Sequence, residues 1–438
     1  MVLIQNFINI FYIAELRKKV FFTLSVLFIH RLGNTIPVIG INIQKLVMLM
    51  KQNTGIGGFF ASWDLFSGGS LSQGMLFALG ISPYITASIM MQMLTLSVPW
   101  LEEKQKEGDH GRKVINQLTR YLAFAVAIVQ SFTIVFAIER YDLALQPGWA
   151  FRLMFVLTMT TGSMFVMWLG EQITLYGLGN GSSMIIFAGI VASFPADILN
   201  MIGAVAKGLV AWPVAVLLLL IFLLIASCIV FLEKGERKIP VQYTRRVVGQ
   251  RIYGGQSSYI PFKINTAGVM PVIFASALLN VPIFIFYALS GYGYVFQWIS
   301  DQLTKGGLLY SILIFVFIIA FSFLYTTLIF NPEELAENIK KSGAFIPGIR
   351  PGKKTAEFFN FILLRLGLAG AVYLGFLALL PTAVHALFNM PIYLRSLSGT
   401  ALLIVVGVAL ETAAQIESYL IEHRYEGFLS TGRLRGRR

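Results

Sequence analysis

Ile81, Ile85, Ser88 and Gln92 recur at i, i+4, i+7 and i+11, which is one stripe of an α-helix. A buried amide such as Gln92 is costly against lipid, so the stripe is expected to face protein or water. Ile81 and Ile85 taken alone also fit ordinary helix packing. Upstream, Phe59 to Phe66 is apolar but far short of the roughly 20 residues a spanning helix needs. Ser67-Gly68-Gly69-Ser70 then forms a hinge, and the apolar run from Met75 to Leu96 is long enough to span. A short non-spanning piece hinged to a full span reads as a segment that dips into a membrane and returns. Such backbone is tolerated only beside protein or a water-filled cavity.

Familiar catalytic chemistry is missing. No GxxxxGK[ST] phosphate loop occurs, so the chain is not expected to hydrolyse nucleotide. Gly177-Leu178-Gly179-Asn180-Gly181 looks superficially like a phosphate-binding turn, but it joins two apolar spans and reads as a tight turn. His30, His110, His385 and His423 are scattered, and with the single Cys228 they assemble no zinc set; no cofactor is expected. Charges inside spans are few: His30 and Arg31 in the first and Glu411 in the last, with Arg152 and Arg365 near span ends where they can snorkel. That scarcity disfavours an ion-coupled transporter without removing it.

The elements that must position these residues are membrane helices. Hydrophobic residues make up 56% of the 438, the mean hydropathy is +0.74 and only 13% are charged, against about a quarter in soluble domains. Apolar runs place ten spans near 20–38, 75–96, 117–138, 150–170, 183–203, 213–233, 266–290, 307–330, 360–383 and 398–419. With the N-terminus inside, the inner segments hold 24 Lys and Arg and the outer loops hold 6, so both termini are expected in the cytoplasm. Residues 1–19 read as an amphipathic segment on the membrane surface rather than a signal peptide, because the basic cluster follows the apolar part. Five spans occupy 20–203 and five occupy 213–419, on either side of an outer loop, 204–212; an odd number in each half gives the halves opposite orientations.

Two inner loops, 234–265 and 331–359, are long and basic. Orientation alone accounts for their charge, and contact with anionic lipid is a second use. Their length and their aromatics and glycines equally suit an acidic or nucleic-acid-bearing cytosolic partner. The basic tail, 420–438, reads as solvated positive-inside charge or as a contact with membrane or partner.

With these residues laid out, the chain resembles the SecY family of bacterial protein-conducting channels from about Glu15 to Leu429. The motifs are FALGISPYITASIMMQML (77–94), EGDHGRKVINQLTRY (107–121), WLGEQITLYGLGNGSSMIIFAGIVASFP (168–195), GQRIYGGQSSYIPFKINTAGVMPVIFAS (249–276) and FNPEELAENIKKSGAFIPGIRPG (330–352). The resemblance implies an all-α polytopic protein of ten helices in two pseudo-symmetric halves in the bacterial inner membrane, around an hourglass pore. It implies a pore ring of Ile81, Ile85, Ser182, Ile186, Ile273 and Ile404, the serine standing where the family is usually apolar. It implies a plug at about 58–72 that includes Phe59, Phe60, Trp63, Leu65, Phe66, Gly68 and Gly69, with Trp63 and Asp64 in its variable part. Gln92, Gln130 and Ser276 match polar residues of a lateral gate between the second, third, seventh and eighth spans; on their own they equally fit helix-packing hydrogen bonds.

Arg245, Arg246, Arg251, Lys340, Lys341, Arg350, Lys353 and Lys354 match a docking surface for the SecA motor ATPase and for the ribosome with its rRNA; Gln250 stands where an arginine often precedes Arg251. SecE-like and SecG-like subunits, signal sequences, nascent polypeptides and membrane lipids are the other implied partners. The implied function is a non-catalytic channel that passes unfolded polypeptides across the membrane and releases transmembrane segments sideways, powered by a partner. The alternative left by the residues themselves is an inverted-repeat solute transporter.

Overall fold

The computed structural model describes residues 13–51, 67–71, 73–208, 211–243, 246–248, 251–253, 257–289, 293–303, 307–388 and 399–431. In chain order the helices are α1 (Ala14–Gly33), α2 (Ile43–Lys51), α3 (Ser82–Ser97), α4 (Pro99–Lys106), α5 (Asp109–Arg140), α6 (Trp149–Tyr176) and α7 (Gly181–Ala206). After them come α8 (Trp212–Lys234), α9 (Met270–Leu289), α10 (Tyr294–Leu303), α11 (Leu308–Ile329), α12 (Pro332–Lys341), α13 (Lys353–Phe388) and α14 (Gly399–Thr431). Five short strands complete the set: β1 (Glu236–Tyr243), β2 (Arg246–Val248), β3 (Arg251–Tyr253), β4 (Ser257–Lys263) and β5 (Ala344–Phe345).

Each expected span falls on a helix, but the helices are not uniform. Among the described residues seven helices are long and apolar enough to cross a membrane. The α3–α4 pair is bent by 99° and would make an eighth, and the apolar helix Met270–Leu279 is shorter. The run from Met75 is not one helix: residues 76–81 form turns and α3 starts at Ser82. Pro83 explains the start, because a residue without an N–H suits a first turn and breaks a helix interior. The expected boundary at residue 19 runs through α1, and α14 continues past 419 to Thr431.

The spans are greasy on the outside as well as within. Along α8, Leu219, Leu220, Leu223, Leu224 and Phe231 are all more than half exposed. A surface of that kind is a liability in water and the expected face towards lipid.

The helices pack as two groups. In the first, α3 packs on α5, α5 on α6, and α6 on α7 and α1; in the second, α9 packs on α11, α11 on α13, and α14 on α8, α9 and α13. The groups meet where α3 touches α9 and where α7 touches α14 and α8. The turn between α6 and α7 ties the two together. The Leu178 amide donates to Thr23 Oγ1 of α1 at 3.0 Å, and the Gly179 amide donates to Gln415 Oε1 of α14 at 2.6 Å.

The two basic loops are one structural unit, which their separate positions in the chain concealed. Strand β1 pairs antiparallel with β4 (Ile239 opposite Ile260) and, on its other edge, with β5 from the second loop (Tyr243 opposite Ala344). Ile239, Val241, Phe262, Ala336, Ala344, Ile346 and Phe359 share one small buried core, distinct from the large core of the helices.

The α6–α7 turn depends on bare backbone. A Cβ at Gly181 would lie 1.8 Å from the Gly170 carbonyl oxygen, whereas a Cβ at Gly203, on the same helix, would meet nothing within 4 Å. Gly181→Ala is therefore expected to lower the thermal midpoint of the detergent-purified protein by an overpacking penalty of about 1–3 kcal/mol. Gly203→Ala serves as the control and should not lower the midpoint.

Candidate functional site

Ile81, Ile85, Ile186, Ile273 and Ile404 all belong to the one large buried core, and none is more than 4% exposed. Ile81 caps α3, Ile85 lies one turn along it, Ile186 is on α7, Ile273 on α9 and Ile404 on α14. These helices follow one another in contact, α3 on α9, α9 on α14 and α14 on α7. The isoleucines are thus carried by helices through which the two groups meet. Ser182 is different: it is half-buried, and its amide and hydroxyl both donate to Asn180 Oδ1, at 3.1 and 2.6 Å. Its polarity is used in capping α7, since Asn180 is the N-cap residue.

Of the stretch that opens the site, Phe59, Phe60, Trp63, Leu65 and Phe66 lie outside the described residues. The hinge is described. Gly68 (φ +64°) and Gly69 (φ +88°) both take left-handed backbone, and Ser70 Oγ donates to the Ser67 carbonyl at 2.7 Å. Ser67, Ser70 and Leu71 are buried. Gly68 rests on α7 backbone to backbone: a Cβ there would be 2.7 Å from the Gly189 Cα. Gly189 is three residues beyond Ile186, so the hinge is seated one turn from the buried isoleucines.

The polar trio is not joined. Gln92 Nε2 reaches Ser88 Oγ at 3.5 Å, while the Gln92 and Gln130 side-chain carbonyls are buried without a partner. Ser276 Oγ donates within its own helix, to Val272 O at 2.6 Å and Ile273 O at 3.0 Å. The helices that carry them do form one contiguous set, with α5 on α3, α3 on α9 and α9 on α11.

Among the described residues no ion pair joins the expected intramembrane charges His30, Arg31 and Glu411. His30 is buried and stacked on Phe77 with ring centroids 5.8 Å apart, while Arg31 and Glu411 are exposed. Arg152 does not simply snorkel: its guanidinium is paired with Glu139 at 2.7 Å and lies over the rings of Phe136 and Trp149. Among the described residues no group of three or more His, Cys, Asp or Glu is placed to hold a metal ion.

The basic candidates map onto the small sheet unit. Arg246 and Arg251 lie on the β2–β3 pair, where Arg246 is opposite Tyr253 and Arg251 opposite Val248; Arg245 lies outside the described residues. Lys340 and Lys341 are exposed in the last turn of α12, with Lys341 paired to Glu337 at 3.0 Å. Arg350, Lys353 and Lys354 are exposed at the start of α13. Lys354 donates to Glu357 at 2.9 Å, and that hydrogen bond and charge hold the Glu357 carboxyl below the usual carboxylate range.

Two features went unread in the sequence. One is the union of the loops, for which a signal existed: Ile239 and Val241, like Ile260 and Phe262, alternate with the period of a half-buried strand. The other is a buried hydrogen-bonded joint around Asn265, which no local pattern announces. Phe359 is fully buried in the shared core, its ring tilted against that of Phe262 with centroids 5.6 Å apart. Phe359→Ala should cost about 3–5 kcal/mol there. Limited trypsin digestion should then cut both 234–265 and 331–359 faster; cutting in only one loop would contradict a common core.

Comparison with known proteins came out as follows. The SecY family model matches residues 75–413. The protein translocase subunit SecY of Aquifex aeolicus (strain VF5) is 43% identical over 427 residues, covering 96% of this chain and 98% of that protein. A solved structure described as that of a protein conducting channel superposes with a TM-score of 0.66 at 19% identity, over 92% of each chain. Sec61 in the canine ribosome–channel complex from the endoplasmic reticulum gives 0.61 at 18% identity, again over 92% of each chain. Identities that low establish the shared fold alone.

Proposed function

The chain belongs to the SecY family, and from that premise we propose that it forms the pore of a protein-conducting channel in the bacterial inner membrane. In this reading it has ten spans and both termini in the cytoplasm, and it works with SecE-like and SecG-like subunits. The observation that carries the pore is the burial of five isoleucines, from four helices in sequential contact through which the two groups meet. A passing polypeptide is chemically arbitrary, so its channel cannot rely on specific hydrogen bonds. Branched aliphatic side chains close around any backbone without binding it, and an apolar constriction blocks ions by dewetting. Ser182 is compatible with such a ring because its hydroxyl proton is committed to Asn180.

The hinge at Gly68 seats the plug beside the ring. The gate to lipid lies along α3, α5, α9 and α11. The unpartnered carbonyls of Gln92 and Gln130 are a cost of the shut gate, about 1–3 kcal/mol for each buried unsatisfied group. That cost is relieved when a signal sequence or water brings donors between the helices.

The sheet unit is the docking face for the SecA-type motor ATPase and for the ribosome. The Sec61 neighbour is described in a ribosome–channel complex, and a partner supplies the energy that the chain's own residues show no means of providing.

A cysteine crosslink tests the pore. Cys228 is the single cysteine. In a Cys228→Ser background, Ile85→Cys should form a disulfide with a cysteine midway along a stalled secretory chain, and only with motor and ATP present. Vesicles that import the chain while no ring position gives an adduct would place the path elsewhere.

Two substitutions probe the seal. Ile81→Asn with Ile85→Asn should hydrate the constriction, raise ion leak of reconstituted vesicles and relax signal-sequence selectivity. Gly68→Ala should raise the leak as well, because its methyl meets backbone rather than a flexible side chain. Membranes as tight and as selective as wild type would remove Ile81 and Ile85 from the ring, and an unchanged leak in Gly68→Ala would unseat the plug assignment.

A further inference from the structure

Residues 264–269 link β4 to α9, and three successive members of that link are fastened to three different neighbours. The Ile264 amide donates to the Gly235 carbonyl at 2.9 Å, closing the base of the β1–β4 pair. Asn265, only 4% exposed, spends Nδ2 twice: on Glu233 Oε2 at 2.8 Å, in the last turn of α8, and on the Gly268 carbonyl at 3.0 Å. Thr266 Oγ1 lies 3.1 Å from Thr326 Oγ1 of α11. Since Thr326 already donates to the Ser322 carbonyl, the Thr266 hydroxyl is the donor of that pair. Helix α13 closes the joint from the side, because a Cβ at Gly370 would stand 2.6 Å from the Ile264 oxygen.

Without these bonds the link would be a weak coupling. It is short, irregular and contains Gly268 at φ +63°, so it would absorb a movement of the sheet rather than transmit it. With them, the base of the sheet, the end of α8, the segment entering α9 and the last turn of α11 are held together by part-buried bonds, one of them to a carboxylate. Hydrogen bonds to charged groups are the strong ones, and burial strengthens them further.

We propose that Asn265, held by Glu233, is the positioning residue that passes a displacement of the docking sheet to the gate helices α9 and α11. The proposal rests on the docking and gate roles argued above. Neither side chain touches the translocating polypeptide in this role; they act by keeping α9 in register with the sheet.

The test uses the complete channel complex in phospholipid vesicles, with a purified SecA-type motor ATPase and a preprotein. Two quantities are read separately: the affinity of the motor for the vesicles, and preprotein translocated per bound motor. Asn265→Asp sets a carboxylate against Glu233 and removes both donated bonds. It should leave motor affinity within about twofold of wild type and lower translocation per bound motor by about tenfold or more. Glu233→Gln retains an acceptor and should cost much less. The double variant, Asn265→Asp with Glu233→Gln, restores a donor–acceptor pair to α8 in the reverse sense, though not the bond to Gly268, and should regain part of the loss. If the Asp variant fails to accumulate, Asn265→Ser carries the same expectation, being too short to reach Glu233 and adding no charge.

Translocation per bound motor that stays at the wild-type level would overturn the proposal. So would a parallel fall in affinity, which would mean that the joint only shapes the docking sheet, or a double variant as poor as the single one. Wild-type vesicles that bind no motor would instead overturn the docking role, and the proposal with it.

Discussion

Backbone that leaves the helix at membrane depth must find its hydrogen bonds in protein, because lipid offers none. The stretch from Ser67 to Ile81 is the place where this chain meets that demand, and much of the first helix group is arranged around it. The Leu76 amide donates to the Ile36 carbonyl, the Val38 amide to the Gly74 carbonyl and the Met75 amide to the Ser70 carbonyl. Those bonds require the segment leaving α1 to run alongside the stretch, with Pro37 bridged to Met75. His30 and Phe77 stack as a result, and Gly33 is held so close to Phe77 that a Cβ there would fall within the ring. The irregular element is therefore secured at one end against α1 and at the other against α7, through Gly68 and Gly189.

A pore seal of the kind proposed would need the opposite property. A constriction made of well-satisfied polar groups would hold a threaded chain, and one made of rigid aromatics would fit only some chains. Isoleucines from separate helices close by dispersion and water exclusion, which are individually weak contacts and indifferent to sequence. Among the described residues the two groups pack mainly across the contacts of α3 with α9 and of α7 with α14 and α8. Parting the two groups therefore costs apolar area but breaks few specific bonds. The bridge from the α6–α7 turn to Thr23 and Gln415 is a counterweight, since it keeps α1, α7 and α14 in a fixed relation at one end.

Legibility in the sequence followed the range of the interaction. Hydropathy is a local average, so every expected span fell on a helix; the errors came where one residue overrides the average, as Pro83 does in delaying α3 to Ser82. Motif resemblance placed the isoleucines on four helices, and the structure brings five of them into one core. Ser182 stands where the family is usually apolar, and the structure adds that its hydroxyl donates to Asn180, two residues upstream. The sheet unit escaped notice because β1 and β5 are about a hundred residues apart and their charge dominated the reading. Alternating Ile239 and Val241 was visible, but a half-buried strand has no meaning until its partner is known. Asn265 was unreadable for the same reason, as its importance comes from Glu233, 32 residues away.

The lysines of the sheet unit show how far charge alone can be taken. Helix α12 carries Glu333 and Glu334 in its first turn and Lys340 and Lys341 in its last, which is the arrangement the helix dipole favours. Those two lysines have a local reason to be where they are, and Lys341 also has a partner in Glu337. Lys353 and Lys354 are placed the other way, at the start of α13, with no acidic residue in that first turn. Cations at a helix N-terminus oppose the dipole, so the helix gains nothing from them. Lys354 is partly compensated by Glu357, but an exposed pair of this kind contributes little. Orientation in the membrane accounts for a basic loop but not for cations at a helix end that disfavours them. Lys353 and Lys354 are thus cations whose placement the helix itself does not favour.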